Sequence, residues 1–338
     1  MWTEEKLDEL LTAPSQAMIE DIKKIDGDIM VLGAGGKMGP TLCLMAKRAI
    51  DAAGISKRVI AVSRFTDPAA AALLHAGGVE TISCDLLDPE QLNALPEVEN
   101  VIYMAGRNFG TDGAEWQTWA MNASLPAFTA RKFRKSRIVV FSSGNVYPLA
   151  DIASGGSIET DAPGPIGEYT MSCLARERAF EYAANTYGTK VLIFRLNFAV
   201  DLRYGVLHDI AERILAGEPV SLTTPLFNCI WQGSANEYAV RSLLHADAPM
   251  KILNITGPET LSIRSTALQL GEYLGREPVF EGSEGNDAYL SNAARAMEVF
   301  GYPAVSAHKL IRWQAEWLLS GGRTLNKPTP FEERKGKY

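Results

Sequence analysis

Short apolar runs recur along this chain, and most are followed by a stretch in which apolar residues return every three or four positions. Runs of the first kind suit buried strands, and stretches of the second kind suit helices lying on a sheet. Ile29–Leu32 leads to a helix after Gly39, and Val59–Val62 to an alanine-rich helix near Pro68–His75. Thr81–Cys84 precedes a helix around Glu90–Leu95, and Val101–Met104 precedes a long helical region ending near Phe133. Ile138–Phe141 comes next, and a helix from about Glu168 to Tyr187 leads into Val191–Leu196. This alternation predicts an α/β fold, a doubly wound parallel sheet. No internal repeat or low-complexity segment interrupts it.

The pattern changes at both ends. Residues 1–25 read as one or two amphipathic helices broken at Pro14-Ser15, packing on the outside of the fold. After Arg195 the alternation loosens. Leu207–Leu215 reads as a helix ending at Gly217, Val220–Trp231 as strand with turns, and Ala235–Leu244 as a helix. Lys251–Ile255 is a further strand, and Ile263–Leu274 a helix closed by Gly275. The predicted organisation is a helical extension over 1–25 and a dinucleotide-binding domain over 26–200 and 230–258. A smaller discontinuous α+β substrate lobe takes 201–229 and 259–320, and a polar, proline-containing arm takes 321–338. Both a disordered arm and one packed on a neighbouring subunit fit that composition.

Composition narrows the function classes. The chain has 338 residues, 46% of them hydrophobic and 22% charged, which is ordinary globular usage. A net charge of −7 argues against general nucleic-acid binding. The basic cluster Arg131-Lys132-Phe133-Arg134-Lys135 reads as a solvated helix end. No apolar run reaches the roughly 20 residues a membrane span needs, so a cytoplasmic protein without membrane partners is expected. The four cysteines, Cys43, Cys84, Cys173 and Cys229, lack metal-ligand spacing, and buried free thiols with no metal site are expected.

Four stretches carry candidate chemistry. Ile29-Met-Val-Leu-Gly33-Ala-Gly35-Gly36-Lys37-Met38-Gly39 has the order strand, glycine turn, helix. Gly33 suits the sharp exit from the strand, Gly35 or Gly36 the close approach of a pyrophosphate, and Gly39 the packing of helix on strand. The helix N-terminus then faces the phosphates. Asp85-Leu86-Leu-Asp88 follows a strand; Asp88-Pro-Glu looks like a helix cap, which leaves Asp85 as the adenine-side candidate. Ser142-Ser143-Gly-Asn145-Val-Tyr147 brings hydroxyls to a strand end. Tyr169-Thr-Met-Ser-Cys173 opens a helix, with Tyr169 and Cys173 on one face.

Taken in this order, the stretches resemble the extended short-chain dehydrogenase/reductase family, in its NAD-dependent epimerase/dehydratase branch, from about Asp28 to Leu318. The resemblance implies a Rossmann-type domain with Gly33-x-x-Gly36-x-x-Gly39 as cofactor turn and Asp85 at the adenine. Val101-Ile-Tyr-Met-Ala105-Gly106 would line the cofactor, and Asn122 would prop the active site. Ser143 falls at the position that binds the substrate oxygen, and Tyr169 falls on the catalytic tyrosine. Asn254-Ile-Thr-Gly-Pro-Glu resembles the family's late strand-turn-helix return. The implied chemistry is hydride transfer between nicotinamide and a sugar carbon, with tyrosine exchanging the proton. A homodimer through helices around 110–133 and 168–187 is also implied.

One position departs from the pattern. The family's lysine four residues after the tyrosine, which holds the nicotinamide ribose and lowers the tyrosine pKa, is Cys173 here. A free tyrosine has a pKa of about 10, so about one in a thousand is phenolate near neutral pH. A neutral thiol brings no charge and donates weakly. Three explanations stand: another cation, Arg107 or Arg176, reaches in; the reaction needs only a neutral tyrosine acid; or hydride chemistry is lost and a cofactor-binding sensor or assembly partner remains. Cys173 as a nucleophile lacks an adjacent histidine, and a lyase or isomerase without net redox change is the further alternative.

Cofactor choice is read at Ser63-Arg64, after the second strand. No acid is available there for a ribose 2′-hydroxyl, while Arg64 suits a 2′-phosphate, so NADP is favoured over NAD. Substrate contacts are expected from Arg107, Asn145, Phe227, Asn228 and Trp231, with Asn197 on the cofactor side. Trp116 and Trp119 are further pocket candidates, and Arg203 and His208 are candidates for a substrate carboxylate or phosphate. The expected substrate is a sugar, nucleotide sugar or sugar acid.

Overall fold

The computed structural model describes residues 2–107, 110–327, 329 and 331–336. Seven strands form its centre: β1 Ile29–Leu32, β2 Val59–Ser63, β3 Glu80–Ser83, β4 Asn100–Tyr103, β5 Arg137–Ser143, β6 Lys190–Leu196 and β7 Lys251–Ile255. All pair in parallel, in the order β7-β6-β5-β4-β1-β2-β3. The order reverses between β1 and β4, where Leu32 pairs with Val62 on one side and Tyr103 on the other. Such a reversal opens a crevice at the carboxyl ends of the strands. β1 and β4 are wholly buried, as strands covered on both faces must be. β3 closes one edge and is only partly covered, its polar Glu80 and Ser83 exposed.

Successive side chains of a strand point to opposite faces, so two cores form. On one side Ile29, Val31, Ala61 and Phe194 pack with α2 Gln16–Ile22 and α3 Gly39–Ala52. On the other, Met30, Leu32, Tyr103 and Ile193 meet α7 Leu125–Lys132 and α8 Glu168–Tyr187. Phe180 of α8 stacks at a tilt on Tyr103, 5.3 Å between centroids. Each such side chain, fully buried, contributes about 1.5–3 kcal/mol.

A further core gathers Leu207, Ile210, Phe227, Trp231, Leu270, Leu310 and Trp317, together with Trp2, Leu7 and Leu11 from the N-terminal segment. The break at Pro14-Ser15 is observed: α1 Glu4–Thr12 ends before it, and Ser15 caps α2 by accepting from Met18 N–H. The first helix therefore joins this core rather than merely coating the fold.

The C-terminal arm folds back on its own chain. Phe331 is 2% exposed, Leu325 N–H donates to Arg203 O at 3.0 Å, and Glu332 takes both terminal nitrogens of Arg213. One aromatic anchor and a bidentate ion pair suffice to order an otherwise polar strap. The long helical region expected up to Phe133 runs without a gap through α6 Glu115–Trp119, a π-helical turn Ala120–Ser124 and α7.

Candidate functional site

The glycine turn sits at the crevice. Gly33 has φ +87, and a Cβ there would lie 2.6 Å from the Ala105 backbone, so neighbouring strand ends approach only because the residue is glycine. At Gly35 a Cβ would meet Ser63 Oγ at 2.5 Å, whereas Gly36 opens outward with nothing nearer than 3.5 Å. A Cβ at Gly39 would run into Ala34 O, so only glycine lets α3 pack this closely onto the turn. The residue before α3 is Met38, and no side chain caps the helix. Its first N–H groups are thereby left for an anion. These features fit a dinucleotide pyrophosphate.

Two hollows flank the turn. One, of about 330 Å³, is lined by Gly33, Gly36, Lys37, Met38 and Gly39 on one wall and by Ser143, Asn145, Tyr169 and Arg176 on the other. The other, of about 270 Å³, brings Ser63, Arg64, Asp85, Leu86, Ala105 and Gly106 around the ends of β2, β3 and β4. The predicted cap at Asp88 is observed. Asp88 caps α5 Pro89–Ala94, accepting from Glu90 and Gln91 N–H, while Asp85 lines the hollow and turns its own loop by accepting from Leu87 N–H. Arg64 is exposed at the rim.

Sequence reasoning found both walls but missed residues between them, notably Phe198, Tyr204 and Thr329. Phe198 and Phe65 both carry φ +46, a conformation that costs a bulky residue energy and collects at ligand sites. One lines the larger hollow and the other the smaller. Lys37 lies over the Tyr204 ring, 4.3 Å from its centroid. Burial lowers its pKa to about 8, Lys327 adds to the effect, and Asp209 opposes it. Thr329 belongs to the C-terminal strap and is tied down by its N–H, which donates to Asp209 Oδ2 at 2.6 Å.

Asn122 is the knot of the opposite wall. It is fully buried in the π-helical turn, the kind of local widening that recurs at functional sites. Its Oδ1 accepts from Arg107 N–H and from Arg176 Nη2, each at 2.8 Å. Its Nδ2 donates to Arg107 O at 2.8 Å and to Ser172 Oγ at 3.0 Å. Arg176 Nη1 donates to Phe141 O at 2.7 Å. Arg107, the other candidate cation, also lines the cavity, and its terminal nitrogens donate to Gln117 and to the Gly110 carbonyl.

Tyr169 is buried. That pushes its phenol pKa well above the ordinary value, with the Cys173 thiol adding to the effect and Arg176 and the Ser143 hydroxyl opposing it. Burial also raises the Cys173 thiol, which is 0% exposed and neutral at physiological pH. Ser143 accepts Asn145 N–H at 3.1 Å, which aims its hydroxyl across the cavity wall. Behind it Ser142 donates to Glu177 Oε1 at 2.6 Å, and Glu177 holds Arg195 through both oxygens at 2.9 and 2.7 Å.

Several expected substrate contacts lie elsewhere. Phe227 is 1% exposed in the lobe's core, and Trp231 packs edge-on against Trp313 at 5.8 Å. Asn228 stands behind the cavity wall, accepting from Asn197 Nδ2 at 2.6 Å and donating to Ser291 O. Asn197 itself does line the cavity. Arg203 is spent on Asp201, Glu4 and Asp8, and His208 on Leu202 O, Thr324 and Gln314. Trp116 is 71% exposed on the outer surface, and Trp119 bonds Glu168. Large apolar residues in a small lobe are needed for its core, and buried arginines are taken by the nearest carboxylates.

The solved structures most similar in fold include UDP-glucose 4-epimerase of Thermotoga maritima with UDP-glucose. Its TM-score is 0.71 at 19% identity, over 87% of this chain and 99% of that one. UDP-glucuronic acid 4-epimerase of Bacillus cereus in complex with NAD gives 0.69 at 16%, over 87% and 99%. UDP-glucose 4-epimerase of Thermus thermophilus in complex with NAD gives 0.68 at 18%, over 86% and 98%. At these identities the likeness is one of fold. A comparison with curated proteins returns no match. The family model for the NAD dependent epimerase/dehydratase family matches residues 29–248. On that match, spanning well over half its length, the chain belongs to the NAD dependent epimerase/dehydratase family.

Proposed function

We propose that the protein binds a nicotinamide dinucleotide across the glycine turn and carries out hydride chemistry at an alcohol or ketone carbon of a sugar, nucleotide sugar or sugar acid. The observation that carries this reading is the convergence of Ser143 and Tyr169 on one cavity whose far wall is the glycine turn. A bound cofactor supplies the hydride acceptor or donor. Everything else falls to this chain's side chains. The Ser143 hydroxyl orients the substrate oxygen, and the Tyr169 Oη holds the proton exchanged with it. Because burial keeps the phenol protonated at neutral pH, the resting site is set to give a proton to a carbonyl, the reducing half of the reaction. Asn122 keeps that wall in register through its four hydrogen bonds.

The missing acid after β2, with Ser63 and the exposed Arg64 in its place, supports NADP as the preferred cofactor. The solved relatives named above contain NAD or UDP-sugars, which supports a nucleotide sugar as the first substrate class to try. Phe128 and Tyr182, exposed on α7 and α8, support a homodimer through those helices.

The test has two parts. Denaturing the purified protein and identifying the released dinucleotide by mass spectrometry should yield NADP or NAD. A panel of UDP-sugars and sugar acids, followed by NMR of the products, should then give a substrate whose turnover falls at least about a hundredfold in Tyr169→Phe. Full turnover by that variant would remove Tyr169 from the reaction.

A further inference from the structure

Helix α8 presents Tyr169, Cys173 and Arg176 at intervals of four and three residues, so all three share one face. The middle position holds a buried, neutral thiol. The third reaches the same cavity as the first, from one turn further along. Arg176 is 6% exposed. Its two terminal nitrogens are fixed by uncharged oxygens, Phe141 O and Asn122 Oδ1. Among the described residues it forms no ion pair, and its buried Nε has no hydrogen-bond partner. A buried charge left without a counter-charge is costly, as is a buried donor left unmade. Space for this group is provided at Gly106, where a Cβ would lie 2.6 Å from Arg176 Nη2. The neighbouring Glu177 is already committed to Arg195 and Ser142.

We propose that Arg176 is the cation of this site: it donates to the ribose hydroxyls of the bound dinucleotide and stands as the positive charge beside Tyr169, in place of a lysine at position 173. The inference rests on the dinucleotide-binding reading above. The guanidinium is anchored through one N–H on each terminal nitrogen, to Phe141 O and to Asn122 Oδ1, and keeps a second N–H on each for a ligand. It also gives a permanent charge, which the thiol of Cys173 lacks. Arg107 also lines the cavity with an unpartnered Nε, but it lies outside α8, and the charge that acts on the Tyr169 phenol is that of Arg176.

The experiment measures the dissociation constants of NAD and NADP by calorimetry for the wild type, Arg176→Met, Arg176→Gln, Arg107→Met, and Cys173→Lys combined with Arg176→Met. Arg176→Met and Arg176→Gln should weaken binding at least tenfold. Arg107→Met should change it less than threefold, and adding Cys173→Lys should restore most of the loss. Unchanged affinity in a folded Arg176→Gln overturns the inference and leaves dinucleotide binding standing. If both Arg176 variants fail to fold, the arginine is a structural group and the inference is overturned. A wild type that binds neither dinucleotide removes the underlying reading itself.

Discussion

Two buried arginines, one on β6 and one on α8, show how differently the same group can be used. Arg195, on β6, gives two nitrogens to Glu177 and a third to Tyr147 Oη at 2.6 Å. Tyr147 passes the chain on to Asn254 at 2.9 Å, whose N–H in turn donates to Glu159. The carboxylate beside it holds the Arg195 pKa above even its ordinary high value. Arg176, on α8, has only a carbonyl and an amide oxygen. The first arrangement is closed: every strong donor has an acceptor, and the network ties β6, α8 and β7 together behind the cavity. The second is open on the cavity side. Structural charge is neutralised where it stands, whereas charge kept for a ligand is anchored by dipoles and left unneutralised.

The largest effect should come from breaking the closed arrangement. Glu177→Gln leaves the Arg195 guanidinium buried without its counter-charge, and removing one partner of such a pair costs roughly 3–5 kcal/mol. The thermal midpoint of Glu177→Gln should drop by several degrees, while Arg176→Met should stay within a degree or two of the wild type. Equal losses in the two variants would erase the distinction, because Arg176 would then be structural as well.

Much of the closed part was legible in the sequence. Short runs such as Ile29–Leu32 and Val101–Met104 read as parallel strands because burial on both faces leaves no alternation to confuse them. The glycine turn read correctly because each glycine answers a local demand, at Gly33 a positive φ and at Gly39 a close approach. Spacing also separated Asp85 from Asp88. The open part was less legible. Arg176 acquires its meaning from Asn122, Phe141 and Gly106, which lie far away in the chain and come together only through the sheet. The π-helical turn that seats Asn122 leaves no periodic signature. Phe227 and Trp231 look the same in sequence whether they line a pocket or fill a core, and here they fill a core. The strap was unreadable for a similar reason, since its anchors, Phe331 in the core and Glu332 on Arg213, depend on partners far away in the chain.

Asp209 tests how the strap and the cavity share charge. Burial raises its pKa to about 6, only partly offset by the Thr329 N–H, while Glu212 raises it further. The unfolded chain ionises it near 3.9, so between about pH 4 and 6 the folded state holds a proton that the unfolded state has lost. Its stabilising contribution is therefore complete below about pH 4 and gone once pH exceeds about 6. Asp209→Asn should flatten that slope, so that relative to wild type it gains on the order of 2 kcal/mol between pH 4 and 7. Urea titrations across this window, compared as differences, isolate the group. A difference that does not change with pH would mean that the carboxylate is solvated and the strap is looser than the Thr329 bond implies.

Lys37 lies between the two arginine cases and gives the smallest, most diagnostic effect. Its ammonium is half-buried at the cavity wall over Tyr204, with Lys327 lowering its pKa and Asp209 supporting its charge. With a pKa of about 8, a growing fraction is neutral as pH rises past that value. A dinucleotide pyrophosphate resting on the Gly36 turn favours the charged form, so binding above pH 8 must bring a proton with it. The sign follows: affinity is greatest below pH 8 and falls by up to about tenfold for each unit above it. Calorimetry of NAD or NADP binding from pH 7 to 9.5, in two buffers of different ionisation enthalpy, reads both the decline and the proton uptake. Lys37→Met should bind more weakly at pH 7 and lose the decline. If the variant keeps the wild-type pH profile, Lys37 belongs with Arg195 among the charges already answered inside the fold, and Arg176 remains the cation proposed for the ligand.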